Sequence, residues 1–161
     1  SLLVAPVFSF DGSVDYYLPA GRWTNFLSGA QVSGGRWVRE QHGFLSLPLM
    51  VRENSVVAVG ANDQVPDYDY ASGVTFHVFD LADGADLTVR VPALTGETAC
   101  TARFQRSAGR VEVTLTGSSQ PWAVLLRGVT EVKKVDGGEA QSDALGTLIT
   151  PKRGFSQISI N

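Results

Sequence analysis

Residues 74–92, VTFHVFDLADGADLTVRVP, hold two short segments rich in Val, Thr and Phe on either side of an Asp-Gly pair. Alternation of apolar and polar residues over a short run is typical of a β-strand, and Asp-Gly is a frequent turn between strands. Similar segments recur along the whole chain, with further Asp-Gly pairs at Asp11 and Asp136 and without a convincing helical pattern. The sequence therefore predicts an all-β protein made of antiparallel β-sandwiches rather than βαβ units.

Composition and charge indicate which classes of binding partner are not expected for this chain. The chain has 161 residues, of which 43% are hydrophobic and 18% are charged, and its formal net charge is -3. A chain of this composition can bury a core. Because it has no run of like charges, we expect neither nucleic acid nor a membrane as a partner. The apolar N-terminal stretch is too short for a signal peptide, and the lone Cys100 cannot form an internal disulfide, so a cytoplasmic location is predicted.

The predicted organisation has two modules behind a short first segment. Residues 1–8, SLLVAPVF, form a continuous apolar run, which is typical of a strand buried on both faces of a parallel sheet. Residues 60–73, GANDQVPDYDYASG, are polar and lose the alternation seen on either side, so we place a boundary within them. The predicted parts are residues 1–8, a first β-sandwich over 9–66 and a second β-sandwich over 67–161.

Residue types suited to catalysis or metal binding are few and scattered. His42 lies at a predicted turn and His77 on a predicted strand, and structural roles are favoured for both because neither has a nucleophile motif nearby. Cys100 is interpreted as a small buried residue on a strand. Two acidic clusters lack the pattern of a calcium loop and are interpreted as solvated turns: Asp63, Asp67 and Asp69, and Asp80, Asp83 and Asp86. We therefore predict no catalytic, substrate-binding or metal-binding residue and no cofactor.

The aromatic residues leave two interpretations open. An exposed set of Trp and Tyr side chains would stack on sugar rings, whereas the same residues inside a sandwich would fill its core. The candidates are Trp23, Trp37, Trp122, Tyr16, Tyr17, Tyr68 and Tyr70. Trp23 and Trp37 each follow an Arg at a predicted strand start, and core packing is favoured for both. Tyr16 and Tyr17 are adjacent on one strand and are expected to point to opposite faces.

Several segments of the chain resemble one known family. SLLVAPVF (1–8), YYLPAGRWTNFLSG (16–29) and GGRWVREQHGFLSLPLMVRENS (34–55) resemble, in this order, the C-terminal part of glycoside hydrolase family 31, most closely its bacterial α-xylosidase branch. NDQVPDYDYASGVTFHVFDLADG (62–84) continues the resemblance. The sequence departs from many members at Glu53, where proline is frequent, and this difference is expected to change only the stiffness of a turn.

This resemblance implies a fold and a chemistry. In the family, the LLVAPV segment is the last strand of a (β/α)8 catalytic barrel, and a proximal and then a distal β-sandwich follow it. Members are retaining α-glycosidases, in which one Asp attacks the anomeric carbon and a second carboxylic acid protonates the leaving group. The Trp-x-Asp-x-Asn-Glu type of motif that carries the nucleophile has no counterpart in this chain. No catalytic residue is therefore assigned.

The resemblance also implies a role for the chain. It predicts the non-catalytic part of an enzyme that hydrolyses terminal α-linked xylose or glucose from oligosaccharides, and it leaves the choice between the two sugars open. The first expected partner is the catalytic barrel of the same polypeptide, and subunit contacts in a homo-oligomer are a further expectation. A carbohydrate-binding module that uses exposed Trp and Tyr residues is the alternative.

Overall fold

The computed structural model describes residues 1–161 and contains sixteen β-strands and no helix. The all-β prediction is thereby confirmed. Its elements include no long apolar helix of the kind that spans a bilayer. The chain divides into two compact units, Ser1–Ser55 and Val56–Asn161, each of which has a hydrophobic core of its own.

The first unit consists of a four-stranded sheet and a two-stranded sheet. Its strands are β1 (Leu2–Val4), β2 (Ser13–Leu18), β3 (Arg22–Asn25), β4 (Gln31–Ser33), β5 (Arg36–Gln41) and β6 (Leu49–Arg52). The larger sheet has the order β1-β6-β3-β4, β2 pairs with β5, and every pair is antiparallel. Tyr16 and Leu18 of β2 cluster with Trp23 of β3 and Met50 of β6, so the two sheets enclose one core.

The second unit consists of two five-stranded sheets. Its strands are β7 (Ser55–Val59), β8 (Val74–Phe79), β9 (Asp86–Pro92), β10 (Thr98–Ser107), β11 (Arg110–Thr116), β12 (Trp122–Arg127), β13 (Val135–Asp136), β14 (Gly138–Asp143), β15 (Gly146–Pro151) and β16 (Gln157–Ile160). One sheet has the order β13-β16-β11-β10-β9, and the other has the order β14-β15-β12-β8-β7. Phe76 of β8 and Phe104 of β10 meet in the core, with 5.6 Å between their ring centroids.

All three Asp-Gly turns connect strands that lie in different sheets. Asp11-Gly12 lies between β1 and β2, and Asp83-Gly84 lies between β8 and β9; at the third pair, Asp136 ends β13 and Gly137 connects it to β14. Gly84 has a φ of +84°, in the left-handed region that favours glycine. Each of these turns therefore leads the chain from one layer of a sandwich to the other, rather than closing a hairpin within a sheet.

One strand pair departs from the predicted antiparallel arrangement. β8 and β12 run parallel, with Val74 opposite Trp122 and Val78 opposite Leu126, whereas the other registered pairs are antiparallel. The chain leaves β8 for the opposite sheet, passes through β9, β10 and β11, and then returns to lie beside β8. A return of this length allows neighbouring strands to run in the same direction.

The N-terminal segment is less buried than its sequence predicts. Within residues 1–8 only Leu2–Val4 forms a strand, and it pairs with β6 at the edge of the larger sheet of the first unit. Both Leu2 and Val4 are about half exposed, because an edge strand has a neighbour on one side only. The prediction of a strand buried on both faces is therefore not met within this chain.

The division between the units lies earlier than the predicted boundary. The chain divides between Ser55 and Val56, whereas the sequence placed the boundary between residues 66 and 67. The physical reason is β7, which begins at Ser55 and lies beside β8 in a sheet of the second unit. Val56 and Ala58 of this strand pack against the core of the second unit.

Candidate functional site

Two loops of the first unit expose a group of large apolar side chains. Residues 5–12 connect β1 to β2, and residues 42–48 connect β5 to β6. Because β1 pairs with β6 and β2 with β5, the two loops are neighbours; His42 N donates to Gly12 O at 2.9 Å, and a groove of about 610 Å³ lies between the loops. Four side chains of these loops are more than nine-tenths exposed, and we call them the loop surface: Phe8, Phe10, Phe44 and Leu45.

Hydrogen bonds of His42 hold the second of these loops. Its Nε2 lies 2.8 Å from Glu40 Oε2, and its Nδ1 lies 2.6 Å from Ser46 Oγ, across the turn that carries Phe44. A neutral imidazole makes both bonds when Nε2 donates to the carboxylate and Nδ1 accepts from the hydroxyl. Serine, histidine and carboxylate follow one another as in a hydrolytic triad, but with the two ring nitrogens interchanged. The arrangement fixes the shape of the loop, which is the kind of contact that the sequence favoured for His42.

The sequence did not identify Glu40 and Ser46 as members of this cluster. Glu40 and His42 are two residues apart at the end of β5, and this spacing places both side chains on the same side of the chain. That signal was available from the sequence. Ser46 lies beyond the strand, where the loop path decides its position, and the sequence pattern carries no signal for it.

An aromatic pair lies exposed on the paired strands β2 and β5. Tyr17 and Trp37 are directly opposite each other in the register, with their ring centroids 5.8 Å apart and an edge-to-face angle of 67°. Trp37 is 69% exposed and Tyr17 is 49% exposed. The prediction that Trp37 packs in the core is wrong, because the adjacent Val38 faces the core and alternation turns Trp37 outward.

The other aromatic candidates are buried or half-buried. Trp23 is 6% exposed, and its indole Nε1 donates to Pro19 O at 2.8 Å, so its predicted core position is correct. Trp122 is buried in the second unit. Tyr16 is buried while its neighbour Tyr17 is exposed, as alternation predicts. Burial and the nearby Glu40 carboxylate raise the pKa of Tyr16 to about 12.

Glu53 has a larger role than the sequence predicted. Its two carboxylate oxygens accept hydrogen bonds from Arg22 N at 3.0 Å and from Arg22 Nε at 2.9 Å. These bonds hold the pKa of Glu53 below its usual range. The side chain therefore links the start of β3 to the turn after β6, and the expected effect on turn stiffness alone is wrong.

His77 of β8 lies against a buried arginine. Arg127 Nη1 donates to His77 Nδ1 at 3.2 Å, and the same guanidinium lies over the ring of Phe79, 5.0 Å from its centroid. Burial, and then the positive charge of Arg127, lower the pKa of His77 to about 4. A nitrogen that accepts from arginine carries no proton, so this histidine is neutral in the folded protein.

Acidification should destabilise the second unit through His77. Unfolded histidine has a pKa near 6.5, so between about pH 6.5 and pH 4 the unfolded state binds more protons than the folded state. The free energy of unfolding therefore decreases as the pH is lowered through this range. We expect a lower melting temperature at about pH 5 than at about pH 7.5, and a smaller difference for His77→Gln, which does not titrate. Thermal unfolding in matched buffers measures this, and an equal pH dependence of both proteins would contradict the role of His77.

The acidic clusters are used in turns and ion pairs. Asp69 Oδ1 accepts from Ala71 N at 3.1 Å, and Asp83 Oδ1 accepts from Gly109 N at 3.1 Å. Asp86 forms an ion pair with Arg103, which lowers the pKa of this carboxyl. No group of three or more His, Cys, Asp or Glu side chains lies close enough together to hold a metal ion.

Two family models together match nearly the whole chain. The model described as "Glycosyl hydrolase family 31 C-terminal domain" matches residues 1–57. The model described as "Alpha-xylosidase YicI, C-terminal domain" matches residues 69–161. The two matches follow one another as the proximal and distal parts expected from the resemblance, and the second extends the likeness well beyond Gly84 to the last residue.

Two curated relatives are α-xylosidases of much greater length. The α-xylosidase XylQ of Lactiplantibacillus pentosus is 32% identical over 144 residues, which is 84% of this chain and 18% of XylQ. An α-xylosidase of Emericella nidulans is 38% identical over 82 residues, which is 46% of this chain and 10% of the relative. The chain thus spans less than a fifth of the length of either protein.

Solved structures share the fold over nearly the full chain. The GH31 dextranase of Flavobacterium johnsoniae, complexed with glucose, superposes with a TM-score of 0.74 at 17% identity, over 99% of this chain and 26% of the dextranase chain. The cycloalternan-forming enzyme of Listeria monocytogenes, in complex with a pentasaccharide substrate, gives a TM-score of 0.75 at 17% identity, over 99% of this chain and 18% of its own. Because both family models match in order, this chain belongs to glycosyl hydrolase family 31 and corresponds to the C-terminal domains of its members.

Proposed function

We propose that the chain is the non-catalytic C-terminal region of a retaining α-glycosidase that hydrolyses terminal α-linked xylose or glucose from oligosaccharides. The match to the α-xylosidase family model and the identity to two named α-xylosidases support the xylosidase form of this activity. The role of the region itself is to support the catalytic barrel of the same polypeptide. The observation that carries this role is the loop surface.

The loop surface has the properties of a docking face. Each of its four side chains is almost fully exposed, and burying a side chain of this size contributes about 1.5–3 kcal/mol. Contiguous apolar patches on a protein surface mark sites of interaction. The loop that carries Phe44 and Leu45 is held by His42, so the face is shaped before it meets its partner. We therefore assign the catalytic barrel to this face.

Two further parts of the proposal concern the assembly and its location. Contacts between subunits of a homo-oligomer would use surface that the barrel leaves free. A reducing compartment agrees with the single, buried Cys100, whose thiol pKa is raised by burial, and we propose the cytoplasm. Size-exclusion chromatography of the full polypeptide and fractionation of its source cells test these two points.

Phe44→Ser tests the docking face, because serine keeps the loop polar and exposed but removes the apolar ring. In the polypeptide that joins this chain to its catalytic domain, we expect the free energy of unfolding to fall by about 1.5–3 kcal/mol. In the 161-residue chain alone, where the ring is already exposed, the change should stay within about 0.5 kcal/mol. Thermal and chemical unfolding of both forms measure the two values.

Leu94→Ser is the matched control, since Leu94 is exposed in the second unit, outside the loop surface. It should leave both forms nearly unchanged. Equal effects of Phe44→Ser on the joined polypeptide and on the chain alone would show that the loop surface does not dock on the catalytic domain.

A further inference from the structure

The outward side of β2 and β5 carries a polar ladder next to its aromatic pair. In the antiparallel register, Tyr17 lies opposite Trp37, Asp15 opposite Arg39, and Ser13 opposite Gln41. Alternate residues of a strand share a face, so these three pairs follow one another along the same side, about 7 Å apart. We call this set the ladder face.

The middle pair of the ladder face keeps hydrogen-bonding capacity for a ligand. Arg39 Nε and Asp15 Oδ1 are 3.8 Å apart, which is an ion pair but not a direct hydrogen bond. Both side chains are more than half exposed. The guanidinium donors and the carboxylate acceptors therefore remain available next to the indole of Trp37.

An exposed indole beside donors and acceptors is suited to a sugar ring. The C–H groups on one side of a pyranose are weakly positive and pack on the negative face of an aromatic ring. The hydroxyl groups at its rim donate to carboxylates and accept from guanidinium groups. Arg39 and Asp15 carry opposite charges, so the ladder face favours a neutral ligand over a phosphate or an acidic polymer.

We propose that the ladder face is a binding site for a neutral oligosaccharide, with one sugar ring stacked on Trp37 and the next within reach of Asp15 and Arg39. Tyr17 holds the indole from the side through its edge-to-face contact. The site lies on the paired strands β2 and β5. It goes beyond the proposed function, because it gives this region a ligand of its own. A region of this kind would retain a polymeric substrate near the enzyme that cleaves it.

Indole signals of the 161-residue chain test the site directly. The three tryptophans give three Nε1–H signals in a ¹H–¹⁵N spectrum, and only Trp37 is exposed. On titration with isomaltotriose, and separately with a xyloglucan oligosaccharide that carries α-linked xylose, we expect a saturable shift of the Trp37 signal. The signals of the buried Trp23 and Trp122 should stay in place. The measurement needs no catalytic activity, so its failure is distinct from a failure of the proposed function.

Variants assign the contribution of each group. Trp37→Ala should weaken oligosaccharide binding by about tenfold or more, as for a central aromatic contact. Arg39→Ala should weaken it by a smaller factor. Phe155→Ala, which removes an exposed aromatic ring from the second unit, should bind like the unchanged chain.

Three results would overturn the proposal. The first is the absence of a saturable Trp37 shift with both saccharides. The second is binding that Trp37→Ala leaves unchanged. The third is concentration-dependent self-association that Trp37→Ala abolishes in a chain that binds neither saccharide, which would assign the ladder face to a second copy of the chain.

Discussion

Trp23→Ala should lower the free energy of unfolding of the first unit by about 3–5 kcal/mol, the range for removing a large buried aromatic side chain. Trp23 is 6% exposed, clusters with Leu18 and Met50, and donates its indole hydrogen to Pro19 O. Its removal leaves a cavity between the two sheets and takes away the indole donor to Pro19 O. Urea unfolding followed by far-ultraviolet circular dichroism measures the loss.

Trp37→Ala is the matched control, because it removes the same side chain from an exposed position. The substitution removes the edge-to-face contact with Tyr17 and little buried surface, so the change should be about 1 kcal/mol or less. A loss for Trp37→Ala as large as that for Trp23→Ala would contradict the structural difference between the two residues.

Phe76→Ala should destabilise the second unit by a similar amount, about 3–5 kcal/mol. Phe76 is fully buried, and its ring contacts Phe104 at 5.6 Å and Trp122 at 6.4 Å between centroids. These partners lie on both sheets, so the truncation removes contacts within a layer and between layers. The same unfolding experiment measures this change.

Phe155→Ala serves as the control in this unit, because Phe155 is about half exposed. Its effect should be about 1 kcal/mol or less, as for most surface substitutions. Comparable losses for the two variants would show that Phe76 is not at the centre of the core.

The opposite positions of Trp23 and Trp37 show what local sequence does not specify. Trp23 follows Gly-Arg, Trp37 follows Gly-Gly-Arg, and each is the second residue of its strand, so their immediate contexts predict the same burial. On β5, however, either face offers an apolar residue, Trp37 on one side and Val38 on the other. Which of them faces the core depends on the register with β2, and that register is a long-range property of the fold.

The sequence predicts the positions of turns better than it predicts which strands pair with each other. Each of the three Asp-Gly pairs lies where the chain passes from one strand to the next, as composition indicates, and the all-β class follows from the short alternating segments around them. Alternation along one strand identifies its two faces but not its neighbours. The parallel pairing of β8 with β12 could not be predicted for this reason, because neither segment has a sequence pattern that identifies the other as its neighbour.

The loop surface shows a similar limit at the candidate site. The resemblance identified the segments that contain Phe8 and Phe44, but not that pairing of β1 with β6 and of β2 with β5 makes their loops neighbours. The contact between His42 and Ser46 closes a turn whose path depends on where β6 begins. Residues of this type are specified by the assembled sheets rather than by spacing along the chain.

The turns between layers also set the order in which the second unit can fold. β9, β10 and β11 follow one another along the chain and pair as neighbours, so they close short loops and can form early. β8 lies between β7, which precedes it in the chain, and β12, which follows only after β9, β10 and β11. Non-local pairing of this kind slows folding. We therefore expect the pairing of β12 with β8 to be a slow step in the assembly of this unit.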